Sequence, residues 1–200
     1  MNEHKKHRTD PRIIRTRQLL KDALIDLLQE IEVEKISVNR IAERATINRV
    51  TFYLHYRDIP DMLEKMADDM VKDIQHVLNH EVPVNNNSME EIHFFRLVSL
   101  LEHISENSKF YKIILGSKRI PIFTERLLQL LTEMISLPIH NSESDTIISK
   151  SGVPKDIAIW HYSSALIGTI VGWLRNDLPY TPHFLAKQIS VLLGHHQEKE

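Results

Sequence analysis

The spacing of apolar residues constrains this chain more than any other feature. They recur three and four positions apart through most of its 200 residues, and strict alternation is nowhere sustained. Ile13, Leu20, Leu24, Leu27, Leu28 and Ile31 form one such series, and Met62, Leu63, Met66, Met70, Ile74 and Val77 form another. A 3.6-residue period places each set on one stripe of a helix, whereas a strand would need a period of two. Stripes of this kind are buried by packing helix on helix, so the expected fold is all-α.

Local signals punctuate the pattern. Asp10-Pro11 combines an N-cap with a proline at the first helical position, where its missing N–H costs nothing. Ser37, Asn48 and Asp58 stand ready to cap second, third and fourth helices, the third running to about His55 and the fourth carrying Pro60 in its first turn. A loop is expected over 82–88, closed by the capping-box spacing Ser88-x-x-Glu91. Helices are expected over 89–106, 109–116 and 121–136, then a loop from Pro138 to Gly152. Pro154 opens a helix to about Arg175, and Thr181-Pro182 opens a last one that fades near Gly194. The tail from His195 is expected to fray. The expectation is about nine helices: a three-helix head joined by a long fourth helix to a helical bundle body, with domains over 10–72 and 73–196.

Charge separates the same two parts. Seven lysines and arginines lie between Met1 and Lys21 against Glu3 and Asp10, while the stretch from Asp61 onward has 13 basic and 18 acidic residues. A basic end on an acidic scaffold is suited to a polyanion. The chain has no cysteine, which excludes disulfides, thiolate metal sites and cysteine nucleophiles. Its polar N-terminus is no secretory signal, and no apolar run approaches the roughly 20 residues of a membrane span. A soluble, cytoplasmic protein with no membrane partner is expected.

Residues 36–55 carry the functional signal. Two short helices flank a turn of about three residues; Val38, Ile41, Ala42 and Ala45 face inward from the first, and Ile47 plugs the turn. Ala42 is small where the two helices pass closely. From the second helix Val50 and Phe52 or Leu54 are expected inward, leaving Asn48, Arg49, Thr51, Tyr53 and His55 outward. No carboxylate occurs from 46 to 57, as a surface facing phosphates requires. This is a helix-turn-helix, whose second helix enters a DNA groove.

With Thr16-Arg17, Ser37, Ile41-Ala42 and the run Thr51-Phe52-Tyr53-Leu54-His55-Tyr56 in this order and spacing, residues 12–72 resemble the DNA-binding domain of the TetR family. The resemblance implies that Ser37 and the start of its helix face a phosphate, and that Arg17, Thr51, Tyr53, His55 and Tyr56 hold the DNA backbone. Asn48, Arg49 and Val50 are the implied base readers. The chain departs from the family pattern at Thr46 and Val50, where glycine is usual, and at Ile59, where a phosphate-binding lysine is common; Arg57 is the candidate replacement.

The resemblance further implies a dimerising, effector-binding body, a palindromic operator and repression as the usual outcome. Ser164, Gly168 and Gly172 make a small-residue stripe, which places the homodimer contact on the last two helices, although the same stripe fits close packing inside one chain. Trp160 and Trp173 are either interface anchors or core. His103–Lys112 and Val171–Leu174 with Thr181-Pro182 resemble the branch that includes the dihydroxyacetone kinase gene regulator, which implies a protein effector as an alternative to a small molecule. Phe94, Phe95, Phe110, Tyr111, Phe123, Trp160 and His161 are the candidate pocket residues, with core packing as the plainer reading.

Twelve histidines invite a metal, yet Glu90-x-x-His93 has no second copy and His195-His196 lies in the tail. There is no His-Glu-x-x-His, nucleophile elbow, P-loop or dinucleotide fingerprint. No cofactor, metal or enzymatic activity is expected. The competing class is a helical protein-interaction module or co-regulator, distinguished by failure to bind duplex DNA.

Overall fold

The computed structural model describes residues 10–80, 89–117, 119–141 and 153–192. They form α1 (Pro11–Glu30), a 3₁₀ turn (Val33–Lys35), α2 (Val38–Arg44), α3 (Arg49–Tyr53), α4 (Ile59–His80), α5 (Met89–Glu106), α6 (Ser108–Gly116), α7 (Pro121–Asn141), α8 (Lys155–Arg175) and α9 (Pro182–Leu192). Nine helices and no strand occur among the described residues, so the all-α expectation holds. The basic residues Lys5, Lys6 and Arg8, the 82–88 loop with its Ser88 cap, and the tail from His195 lie outside them. The chain divides into two compact units between Met66 and Ala67, inside α4.

In the first unit each expected cap forms. Asp10 accepts from Arg12 N at 2.8 Å, Ser37 from Arg40 N at 3.3 Å, Asn48 from Val50 N at 2.8 Å and Asp58 from Asp61 N at 2.8 Å. These bonds satisfy N–H groups that a helix start leaves without an intrahelical partner. Leu20, Leu24 and Leu27 of α1 form the core with Ile41 and Ala42 of α2, Phe52 of α3, and Met62 and Met66 of α4. Ile13, expected on the same stripe, is exposed because it lies a full two turns before the first buried leucine. Arg44 pairs with both carboxylate oxygens of Glu30, at 2.9 and 2.6 Å, tying α2 to the end of α1.

The turn from α2 to α3 is fixed by backbone bonds alone. Thr46 N donates to Glu43 O at 3.0 Å and Ile47 N to Ala42 O at 2.9 Å, the pair of bonds that defines a Schellman motif. That motif needs a left-handed residue after the cap, and Thr46 takes φ 56°. Thr46 thus takes the backbone conformation that glycine adopts without strain.

In the second unit α8 packs on α7 and α6, and α9 packs on α5. The core includes Leu100, Leu101 and Ile104 of α5, Tyr111 and Ile114 of α6, Phe123, Leu127 and Leu131 of α7, and Ile170 and Trp173 of α8. Two expectations are amended here. α7 continues through Pro138 to Asn141 rather than stopping at 136. By length and composition α8 is long and apolar enough to cross a membrane, contrary to the sequence reading; it packs on α6 and α7, with a third of its apolar stretch buried.

Candidate nucleic-acid interface

α3 has five residues, too few to be stable alone. It is held by Phe52, which is fully buried against the edge of Tyr53 at 5.5 Å and the tilted ring of Tyr56 at 5.6 Å. With Phe52 turned inward, the remaining surface of the helix faces solvent. Arg49 is exposed, as are Val50 (66 %), Tyr53 (47 %) and Leu54 (76 %), while Thr51 and His55 are half-buried. Of the inward candidates, Phe52 alone is buried; Val50 and Leu54 face out, since they flank it on a helix where only one side meets the core. Leu54, the alternative to Phe52 for the inward position, is therefore a member of this face; its position two residues after a buried Phe52 was the available signal.

The polar groups of the face are ordered. Arg49 Nη2 donates to Tyr53 Oη at 3.0 Å, and its guanidinium carbon lies 5.5 Å from the Tyr53 ring centroid. Asn48 commits its side-chain oxygen to capping Val50 N, which leaves its amide nitrogen as a donor. Ser37 Oγ is likewise engaged in capping α2. His55 is held below the usual imidazole range, first by burial and then by the positive charges of Arg17 and Lys65. Arg17 of α1 and Lys65 of α4 thus both act on His55 beyond α3 and favour its neutral form.

Tyr56 departs from its expected place. It is only 5 % exposed, and its ring packs on Phe52 with Lys65 Nζ 5.5 Å from its centroid. It belongs to the support beneath the face rather than to the face itself.

At the missing-lysine position, Ile59 begins α4 and is half-buried. The nearby cations converge instead on Asp61. This buried carboxylate accepts from Arg57 N at 2.9 Å, Arg57 Nε at 3.2 Å and Lys65 Nζ at 2.9 Å, and Arg57 Nη2 lies 3.1 Å from it. Lys65 Nζ also donates to the carbonyl of His55 at 3.1 Å. These bonds, led by that from Lys65, hold the Asp61 carboxyl at about 2. Asp61 thereby locks the corner between α3 and α4, and it presents Arg57 outward with 80 % of its side chain exposed.

The seven effector-pocket candidates are not brought together at one place. Tyr111 and Phe123 are buried core, and Phe110 bridges them with ring centroids at 5.3 and 6.0 Å. Tyr111 Oη lies 3.0 Å from His103 Nε2, and burial raises its hydroxyl above the usual phenol range. Phe94 sits against His183 of α9 at 5.4 Å, with Phe95 exposed beside it. Trp160, at 62 % exposure, and His161 lie on the outside of α8. Trp173, by contrast, is buried and donates from Nε1 to Tyr180 O at 3.0 Å. A cleft of about 470 Å³ lined by Leu27, Glu30, Ile31, Arg40, Glu43 and Arg44 shares no residue with either candidate set. No cluster of potential metal ligands occurs among the described residues.

A short helix exposed on a helix-turn-helix head, followed by a separate helical body, defines the class of helical transcriptional regulators. Residues 93–195 match a family described as the transcriptional regulator C-terminal region of TetR type. The chain belongs to the TetR family of transcriptional regulators, which are not enzymes. It is 22 % identical over 180 residues to the uncharacterized HTH-type transcriptional regulator YxbF of Bacillus subtilis (strain 168); the match covers 88 % of this chain and 44 % of that protein, so the chain spans less than half the length of that relative. A TetR transcriptional regulator from Streptococcus agalactiae 2603V shares the fold at a TM-score of 0.66 and 24 % identity, over 92 % of this chain and 96 % of that one. The dihydroxyacetone kinase operon activator DhaS does so at 0.60 and 20 % identity, over 91 % and 96 %.

Proposed function

We propose that this protein binds a palindromic operator in double-stranded DNA as a homodimer and represses transcription in the cytoplasm until a small-molecule or protein effector releases it. The observation that carries this reading is the carboxylate-free face of α3, with Arg49, Val50, Tyr53 and Leu54 exposed over a buried Phe52. Donors and apolar groups of this kind suit base edges and phosphates. In this reading Asn48, Arg49 and Val50 meet bases, and Arg17, Ser37, Thr51, Tyr53 and His55 meet the sugar-phosphate backbone. Arg57, exposed and steadied by Asp61, takes the place of the lysine missing at Ile59.

A dimer is required because five residues read too few base pairs. Two copies related by a two-fold axis would read half-sites about 34–36 Å apart, or a multiple of this. The last two helices supply a face for it: Ile157, Trp160, Phe184 and Val191 are exposed. A Cβ added at Gly168 or Gly172 meets nothing within 4 Å, so packing inside the chain does not demand these glycines. That favours contact with a second copy over the intrachain alternative.

The test is fluorescence anisotropy of the full chain with a random-sequence duplex across a salt series. The expected result is binding whose log affinity falls linearly with log salt, with a slope of several units. Absence of binding at low salt would leave a protein-interaction module as the reading. A reporter placed behind the selected operator sets the sign of control: repression predicts higher expression when the protein is removed.

A further inference from the structure

We infer that Tyr53 is the positioning residue for Arg49, so that sequence discrimination, and not affinity alone, depends on the Tyr53 hydroxyl. This inference rests on the DNA-binding reading above. Arg49 and Tyr53 are the first and last residues of α3, four apart, and so share one side of the helix. The guanidinium donates through Nη2 to the phenol oxygen at 3.0 Å and lies 5.5 Å from the ring centroid. Two contacts of different kinds thus restrain an otherwise exposed side chain. With no carboxylate from 46 to 57, neighbouring residues of the segment offer no acid to draw the guanidinium elsewhere.

The restraint matters because of what Arg49 has to do. Bidentate recognition of a guanine edge requires the planar fork to arrive with two N–H groups parallel. A free arginine samples many rotamers and must lose that freedom on binding, whereas one already held loses less. A phenol hydroxyl that accepts from Arg49 still keeps its own proton. Tyr53 can therefore hold the arginine through its lone pair and donate its proton to a phosphate oxygen, setting the base reader in register with the backbone.

Loss of a phosphate contact and loss of positioning have different signatures. The first weakens all duplexes equally; the second lowers the ratio between selected and scrambled duplexes. The experiment selects bound duplexes from a randomised pool with the full chain. It then measures affinity for a selected and a scrambled duplex with the wild type, Tyr53→Phe, Arg49→Ala and the double variant. The expected result is a ratio lowered roughly threefold to tenfold by Tyr53→Phe, the size of one hydrogen bond, and no further lowering when Arg49 is already alanine. In the free protein, ¹⁵N relaxation of Arg49 Nε is expected to show greater mobility in Tyr53→Phe.

Equal weakening of both duplexes by Tyr53→Phe overturns the inference, as does an unchanged Arg49 relaxation profile or the same loss of ratio in the Arg49→Ala background. A ratio that falls with Arg49→Ala and stands with Tyr53→Phe sinks the positioning role while leaving the DNA reading intact. A wild type that selects no preferred sequence removes both. A fold defect is separated by thermal melting, since a merely structural staple would lower the melting temperature without altering the ratio.

Discussion

Thr46 is forced into a left-handed backbone by the two bonds that close the turn between α2 and α3. For an L-residue that conformation costs roughly 1–2 kcal/mol, and a β-branched side chain is among the least suited to it. Glycine would remove the strain but add freedom to the unfolded chain, which offsets roughly 0.5–1 kcal/mol. Thr46→Gly is therefore expected to raise stability by about 0.5–1 kcal/mol in urea titration, with α3 unmoved; a loss of stability would show that Thr46 is not strained. The position was legible in the sequence as a departure from the family pattern, but the strain was not, because it depends on bonds made by Glu43 and Ala42. Asp61 shows the same limit. Lys65 stands four residues on in the same helix, a spacing the sequence displays, but Arg57 precedes the helix and closes on Asp61 only because the chain turns between α3 and α4. Its carboxyl titrates at about 2 when folded and near 3.8 otherwise. The folded state thus favours the charged form, and the stabilisation is complete above about pH 4. It fades as the pH falls from about 4 towards 2. The stability difference between wild type and Asp61→Asn should be positive at pH 7 and shrink through that window; a difference independent of pH would rule out the ion-pair origin.

At the scale of the element, α3 depends on a single buried ring. Phe52 is fully buried, and neither Val50 nor Leu54 replaces it. Phe52→Ala is expected to cost about 3–5 kcal/mol, the range for emptying an aromatic core position, and to abolish DNA binding along with it. Urea titration and anisotropy on one preparation check both; DNA affinity retained in a stable Phe52→Ala protein would mean the face does not need this anchor. The periodicity placed most helices to within one or two residues because long amphipathic stripes and their caps are local signals. It was less informative about α3. In five residues a 3.6-residue period cannot tell whether Val50, Phe52 or Leu54 points inward, and only packing against α2 and Tyr56 decides it. The aromatic residues of the body show the converse. Tyr111 and Phe123 share apolar character with Trp160, yet they are core, with Phe110 half-buried against them, and Trp160 is surface, because composition does not say which side of a helix is covered.

At the scale of the whole molecule, the proposed dimer has a sharp test in the geometry of α8. Gly168 is exposed and Gly172 half-buried, and a Cβ built on either meets no atom within 4 Å. A glycine inside a helix weakens it by about 1 kcal/mol relative to alanine, so a chain that keeps two where nothing of its own presses on them bears a cost with no return in the monomer. In the proposed dimer, close approach by the same helix of a second copy would supply the return, with Ile157 and Trp160 at one end of the stripe and Phe184 and Val191 of α9 as exposed apolar residues on the other helix. Gly168→Leu is then expected to leave the isolated chain folded, and to stabilise it by roughly 0.5–1 kcal/mol through helix propensity. The same side chain would hold two copies apart. Sedimentation velocity should show the wild type as a dimer and Gly168→Leu shifted to monomer. Operator affinity should fall at least tenfold, because each half-site is then bound alone. Gly168→Ala, which adds one methyl group, should fall between the two. A Gly168→Leu protein that sediments as a wild-type dimer would remove this stripe from the interface and leave these glycines without a packing role.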